Sequence, residues 1–193
     1  MECMVKLTVH PSFLPSLLGR SVDDLDTLCF RNNFISTAKQ HEDREDRFCS
    51  HGDLKYYVLA KDGDTLIGET RVFKRTVVFN GQKIILGGIG SVATHPNKRK
   101  QGIATHMVKK AMKLLRSESC DIAYLCADIY ALKALEFYEQ FGFQKLANKH
   151  TFTGKSGTKY TDTDGMIAPI GSKKLCKKIL AAATPFDIGI GNW

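Results

Sequence analysis

Gly90-Ser91-Val92-Ala93-Thr94-His95-Pro96-Asn97-Lys98-Arg99-Lys100-Gln101-Gly102-Ile103-Ala104 reads as a strand, a proline-broken loop and the first turn of a helix. A glycine at a helix start lets backbone N–H groups close on an anion. The amides of that first turn have no partner within the helix, and the helix dipole adds partial positive charge. Lys98, Arg99 and Lys100 surround the point, so the segment has the features of a diphosphate cradle. Its spacing is neither that of a P-loop nor that of a Rossmann fingerprint, whose glycines fall elsewhere. Gly154-Lys155-Ser156-Gly157 ends like a P-loop, lacks the required upstream glycine, and reads as a hairpin loop.

Working outward, the pattern is that of one α/β domain over residues 1–193, with 171–193 as a C-terminal tail. Val5 to Val9 reads as a first strand. Ser21 to Cys49 lacks strand alternation and reads as one or two helices, with Ser21 as an N-cap before Asp23 and Asp24. A meander follows: Leu54 to Ala60, closed by Asp62-Gly63; Thr65 to Phe79, closed by Asn80-Gly81; and Gln82 to Thr94. Gly87, Gly88 and Gly90 within the last strand predict a bulge or a close backbone approach.

A helix from Gly102 to Arg116 places Ile103, Met107, Val108, Ala111, Leu114 and Leu115 on one face, largely opposite Lys109, Lys110, Lys113 and Arg116. Ile122 to Ala127 is a short apolar strand. Ala131 to Phe141 is a helix ended by Gly142 as its left-handed cap. Two strands follow near Phe143 to Thr153 and Tyr160 to Ile170, and the tail has a basic helical start and an irregular end.

Composition narrows the class. The 193 residues suffice for one buried core, and apolar (43%) and charged (25%) fractions are ordinary for a soluble protein. No apolar run reaches membrane-spanning length, and the start lacks the order of a secretory signal, so a cytoplasmic protein with no membrane partner is expected. The cysteines at 3, 29, 49, 120, 126 and 176 show no C-x-x-C spacing, so neither a disulfide framework nor a metal is expected.

The net charge of +8 is uneven: residues 98–116 hold seven Lys or Arg and no acid, whereas 23–46 hold seven acids against three basic residues. A basic stretch invites an anionic partner. Interleaved aromatics and a nucleic-acid motif are missing, so the phosphate of a cofactor is expected there and nucleic acid is not. A homodimer is the expected arrangement if the chain self-associates.

Arg99-x-x-Gly102-x-Ala104 resembles the Arg/Gln-x-x-Gly-x-Gly/Ala signature of the GNAT acetyltransferases. Ala134-Leu135-Glu136-Phe137-Tyr138-Glu139-x-x-Gly142-Phe143 resembles the second signature of that family. The resemblance implies a GNAT acyl-CoA N-acyltransferase fold: a mixed, mostly antiparallel twisted sheet of about six or seven strands flanked by about four helices. It implies acetyl-CoA as co-substrate and no metal. The strand edge at Val92, Ala93 and Thr94 would pair with the pantetheine arm, and Arg99, Lys100, Gln101, Gly102, Ile103, Ala104 and Thr105 would hold the pyrophosphate.

Tyr138 matches the tyrosine that protonates the leaving thiolate, a sensible task for a phenol whose ordinary pKa is about 10. The family's Asn at the start of this helix is Ala131 here, which leaves its coenzyme contact to Tyr130 or to backbone. The glutamate many members carry in the strand before the coenzyme loop is also missing from Gly87-Gly88-Ile89-Gly90-Ser91. Glu69, Asp128 or a water held by them is then the candidate base.

A weaker resemblance, to the aminoglycoside 2'-N-acetyltransferases, runs from Leu66-Ile67-Gly68 to Val92-Ala93, through Asp162-Thr163-Asp164-Gly165, to the closing Phe186-Asp187-Ile188-Gly189-Ile190-Gly191-Asn192-Trp193. It implies that Asp46, Asp164 and the carboxylate of Trp193 contact an aminosugar. The expected activity is acetylation of a small-molecule primary amine. Acetylation of protein or peptide amines and non-catalytic acyl-CoA sensing are the alternatives.

Overall fold

The computed structural model of the chain describes residues 5–30, 45–48, 51–127 and 132–193. Turn chemistry builds a meander first. Strands β1 (Lys6–Pro11), β2 (Leu54–Asp62), β3 (Thr65–Phe79) and β4 (Gln82–Thr94) pair antiparallel in chain order. Asn80 and Gly81 take φ of 49° and 76°, the two left-handed residues that a tight hairpin requires.

The chain then crosses over through helix α2 (Ile103–Ser117), helix α1 being Ser16–Phe30, and returns as β5 (Ile122–Cys126), parallel to β4. Helix α3 (Leu132–Glu139) leads to the two-residue β6 (Gln144–Lys145). β9 (Gly165–Pro169) inserts between β5 and β6, and the seven-stranded order is β1-β2-β3-β4-β5-β9-β6. A second sheet, order β10-β7-β8, is formed by β7 (His150–Thr153), β8 (Lys159–Asp162) and β10 (Phe186–Ile190). Helix α4 (Lys173–Leu180) precedes β10 and is capped by Ser172, whose Oγ accepts from the Leu175 N–H at 3.1 Å.

Each face of the large sheet buries its own core. Helix α2 presses Ile103, Met107, Val108, Ala111, Met112 and Leu115 onto Val58, Ile67, Val72 and Ile89. Each large side chain so buried contributes roughly 1.5–3 kcal/mol. On the opposite face Phe73, Val77, Leu86 and Tyr124 meet Phe152, Phe186, Ile188 and Trp193 from the small sheet and the tail. Helix α1 covers the remainder of that face with Val22 and Leu25 against Leu59 and Leu66.

The mixed sheet and its flanking helices agree with the expectation; several details differ. Ser21 does not cap α1, which begins at Ser16; its Oγ bonds back to the Leu17 carbonyl at 3.1 Å inside the helix. The two strands expected over 143–153 and 160–170 are each divided between the sheets, because the chain leaves the central sheet after β6 and re-enters it at β9. The tail does not end irregularly, since β10 gains a parallel partner in β7. Of the stretch from Ser21 to Cys49, expected to hold one or two helices, residues 31–44 and 49 lie outside the described residues, as do Asp128, Tyr130 and Ala131. Among the described residues no helix is long and apolar enough to cross a membrane.

Candidate active site

The site begins where the central sheet opens. β4 and β5 pair only at Leu86↔Ile122, Gly87↔Ala123 and Gly88↔Tyr124, although β4 runs on to Thr94 and β5 to Cys126. Beyond Gly88 the pairing of β4 with β5 does not continue among the described residues, an opening that suits an extended amide-bearing chain. At the same place β4 carries a bulge. Glu69 pairs with Ala93 and Arg71 with Gly90, so two steps on β3 meet three on β4, and Ser91 takes φ 47°. A bulge re-aims peptide groups. The run of glycines was the sequence signal for it; that Ser91 is the residue displaced was not legible.

The end of β4 feeds the basic loop. Lys100 and Gly102 adopt φ of 62° and 77°, and Gly102 brings no side chain to cap α2. The first-turn amides thus keep the orphan character that favours an anion. Thr94, Lys98, Arg99, Lys100, Gly102, Ile103, Ala104, Thr105 and Phe137 line a cavity of about 320 Å³ at this point. Arg99 is tied back by its Nε to the Thr94 carbonyl at 3.2 Å. Lys98 forms an ion pair with Asp62 at 2.7 Å, so its charge is shared with β2. Of the residues expected here, Val92 packs into the α2-side core, Ala93 is buried in the sheet and Gln101 is exposed outside the cavity lining.

Tyr138 sits on α3, one residue after the cavity-lining Phe137, edge-on to Phe137 (5.0 Å) and Phe143 (6.1 Å). Burial alone pushes its phenol up to about 12, so it keeps its proton throughout the neutral range. Gly142 ends this helical segment with φ 87°, which turns Phe143 back into the core beside Tyr138.

The other face of the opening is built by β3, helix α1 and the tail. Glu69, Arg71 and Phe73 alternate onto one side of β3. Glu69 is fully buried, and Arg71 Nη2 reaches Glu69 Oε1 at 3.3 Å and the Asp26 carboxylate of α1. Burial, then the hydrogen bond with Asp26, holds the Glu69 carboxyl well above the usual range. That shift favours the neutral carboxyl and works against Glu69, which the sequence offered as a base, in that role. Trp193 is stacked on Phe73 at 5.4 Å, receives the Arg75 guanidinium on its ring at 4.1 Å, and covers Gly88.

Of the residues expected to touch an acceptor, Asp46 and Trp193 are joined through their neighbours, the Asn192 N–H donating to the Arg47 carbonyl at 2.7 Å. Asp46 accepts from Tyr160 Oη at 2.7 Å and from the Ser156 N–H and hydroxyl at 2.5 and 3.0 Å, which commits it to the β7–β8 hairpin. These hydrogen bonds hold its carboxyl below the ordinary range. Asp164 stands beside Cys126 and His150. Tyr124 lies between this group and Trp193, 5.4 Å from the His150 ring and 5.8 Å from the indole.

The geometry matches known proteins. The Acetyltransferase (GNAT) domain pattern matches residues 21–146. The solved ribosomal-protein-S18-alanine N-acetyltransferase of Escherichia coli is similar over 86% of this chain and 94% of its own, at 13% identity and a TM-score of 0.54. A GNAT family acetyltransferase of Brucella melitensis, solved in complex with acetyl-CoA, is similar over 72% of this chain and 83% of its own, at 16% identity and 0.52. A probable N-acyltransferase of Enterococcus faecalis is 21% identical over 72% of this chain, with a TM-score of 0.54, and this chain spans about 33% of it. No curated protein matches the sequence. These likenesses show the fold, and the match over residues 21–146 shows the lineage: the chain belongs to the GNAT acetyltransferases, N-acetyltransferases that draw their acetyl group from acetyl-CoA.

Proposed function

We propose that the chain acetylates a primary amine of a small molecule, with an aminosugar of the aminoglycoside type as the first acceptor class, by direct attack in a ternary complex. The observation that carries this reading is the end of the β4–β5 pairing after Gly88↔Tyr124, directly upstream of the uncapped α2 N-terminus. Acetyl-CoA, when bound, supplies an activated acyl thioester.

The chain supplies the rest. The amides from Gly102 to Thr105, with Arg99 and Lys100, fit the diphosphate. The strand edge at Val92 to Thr94 fits the pantetheine amides, and the bulge at Ser91 offers re-aimed backbone groups to the carbonyl oxygen. Tyr138 stands as the proton donor to the departing sulfur.

On the acceptor side Phe73 and Trp193 form an apolar floor, and Asp26, Glu69 and Arg71 form a polar wall. A small amine seated on that floor needs no extended peptide groove. The test is thiol release from acetyl-CoA against aminoglycosides, polyamines, amino acids and peptides. Turnover with an aminosugar or polyamine is the expected result. Turnover with peptides alone overturns the small-molecule reading, and coenzyme binding without turnover on any acceptor overturns catalysis.

A further inference from the structure

We propose that His150, Asp162 and Asp164 form a binding site for one divalent cation of the zinc class, at the seam between the two sheets. His150 on β7 and Asp162 on β8 are register partners, and Asp164 follows two residues later, before β9. One ligand-capable atom from each lies within 4.8 Å of the others.

The imidazole is the observation that points to a ligand. His150 is fully buried, yet among the described residues neither ring nitrogen has a hydrogen-bond partner, and Asp164 Oδ1 is likewise buried with no such partner among them. Nε2 stands 4.0 Å from that oxygen, too far for a hydrogen bond. A cation 2.0–2.2 Å from each of two ligands spans up to about 4.4 Å between them. At the roughly tetrahedral angle of zinc two such ligands stand about 3.4 Å apart, so the 4.0 Å pair closes on one ion with a shift of roughly half an ångström, and a pair at the 4.8 Å limit with a shift of somewhat over 1 Å.

The surroundings hold the set in place. The ring is wedged between Tyr124 (5.4 Å, edge-on) and Phe152 (6.1 Å, stacked), and a Cβ at Gly165 would come within 2.8 Å of Nδ1. Cys126 Sγ donates to Asp164 Oδ2 at 3.0 Å, and Arg47 Nη2 donates to Asp162 Oδ2 at 2.5 Å. Such outer contacts orient metal-ligating carboxylates. The Cys126 thiol is committed as a donor to Asp164 Oδ2. An imidazole with neither nitrogen committed to a hydrogen bond among the described residues has a ring nitrogen to offer a cation. One imidazole and two carboxylates without thiolate form an N/O set for a zinc-class ion. The ion would lock β7 and β8 to the start of β9 behind Tyr124. The site stands independently of the acceptor's identity.

The experiment uses the full chain, untagged and stripped with EDTA. Elemental analysis after dialysis against zinc chloride is expected to give one zinc per chain in the native protein. Zinc a hundredfold above its Kd is expected to raise Tm by roughly 5–10 °C. Asp164→Asn and His150→Asn should abolish both. Asp162→Asn, at a partly exposed position, should weaken zinc at least tenfold while the circular dichroism stays native. Cobalt substitution should show d–d absorption without a thiolate charge-transfer band. Equal zinc content and equal Tm shift in the native chain and in the Asp162→Asn and Asp164→Asn variants would overturn the site. So would a native chain that takes up no zinc.

Discussion

Trp193 lies against the backbone of Gly88 so closely that a Cβ built there would stand 2.1 Å from Cε3 and 2.5 Å from Cδ2 and Cζ3. Gly88 is also the last β4 residue paired with β5, opposite Tyr124. The indole thus covers β4 at the point where the two strands part.

Gly88→Ala should overpack this contact at a cost of about 1–3 kcal/mol, lowering Tm by several degrees in a chain of this size. The double variant Gly88→Ala/Trp193→Leu should be less destabilised than the sum of the single changes, because the smaller ring-free side chain relieves the clash. Chemical denaturation of the four proteins of this cycle measures the coupling. Strict additivity would show that the indole does not occupy that place.

Gly102→Ala tests the anion loop through backbone alone. A Cβ there has room, with His106 Cε1 nearest at 3.7 Å, but φ is 77°. The left-handed conformation should cost about 1–2 kcal/mol, or be escaped by re-aiming the first-turn amides. Either route should raise the Kd for coenzyme A several-fold by calorimetry. Unchanged stability together with unchanged affinity would remove Gly102 from the cradle.

Tyr138→Phe removes a proton that burial keeps in place up to about pH 12. It should lower kcat about ten- to ten-thousand-fold, as expected for a lost general acid, with little change in coenzyme binding. In the native enzyme the alkaline limb of kcat should not reflect an ordinary phenol near pH 10. A variant with native kcat would return Tyr138 to the role of a packed aromatic.

Glu69 gives a pH dependence of defined sign. Its carboxyl is raised in the folded state, so the unfolded chain releases this proton first as pH climbs past its ordinary value of about 4.5. The folded state then binds more protons than the unfolded, and stability falls as pH rises until the raised folded pKa is passed. Glu69→Gln keeps an acceptor for Arg71 and a donor for Asp26, and should flatten that slope. Urea midpoints from pH 5 to pH 9 read it directly, and parallel curves for both proteins would show that Glu69 is ionised in the fold.

What the sequence determined by itself was local. Asn80-Gly81 specified a tight hairpin because two adjacent left-handed residues are cheap only for such pairs. The apolar stripe of α2 specified which face it buries, and Gly102 specified an uncapped helix start. Each of these needs only a residue and its near neighbours.

The tertiary structure decided everything that depends on residues distant in the chain. Gly88 and Gly90 read as a bulge or a close approach, but only the fold shows that Trp193 is what approaches. Glu69 looked available as a base until Arg71 and Asp26 closed around it away from water. Asp46 stands in the sequence as one of an acid-rich run, and only the fold shows that its oxygens accept from Ser156 and Tyr160. That the imidazole of His150 lacks a hydrogen-bond partner among the described residues was invisible, because burial and hydrogen bonding are set by which strands meet across the sheets and not by the order of residues along one of them.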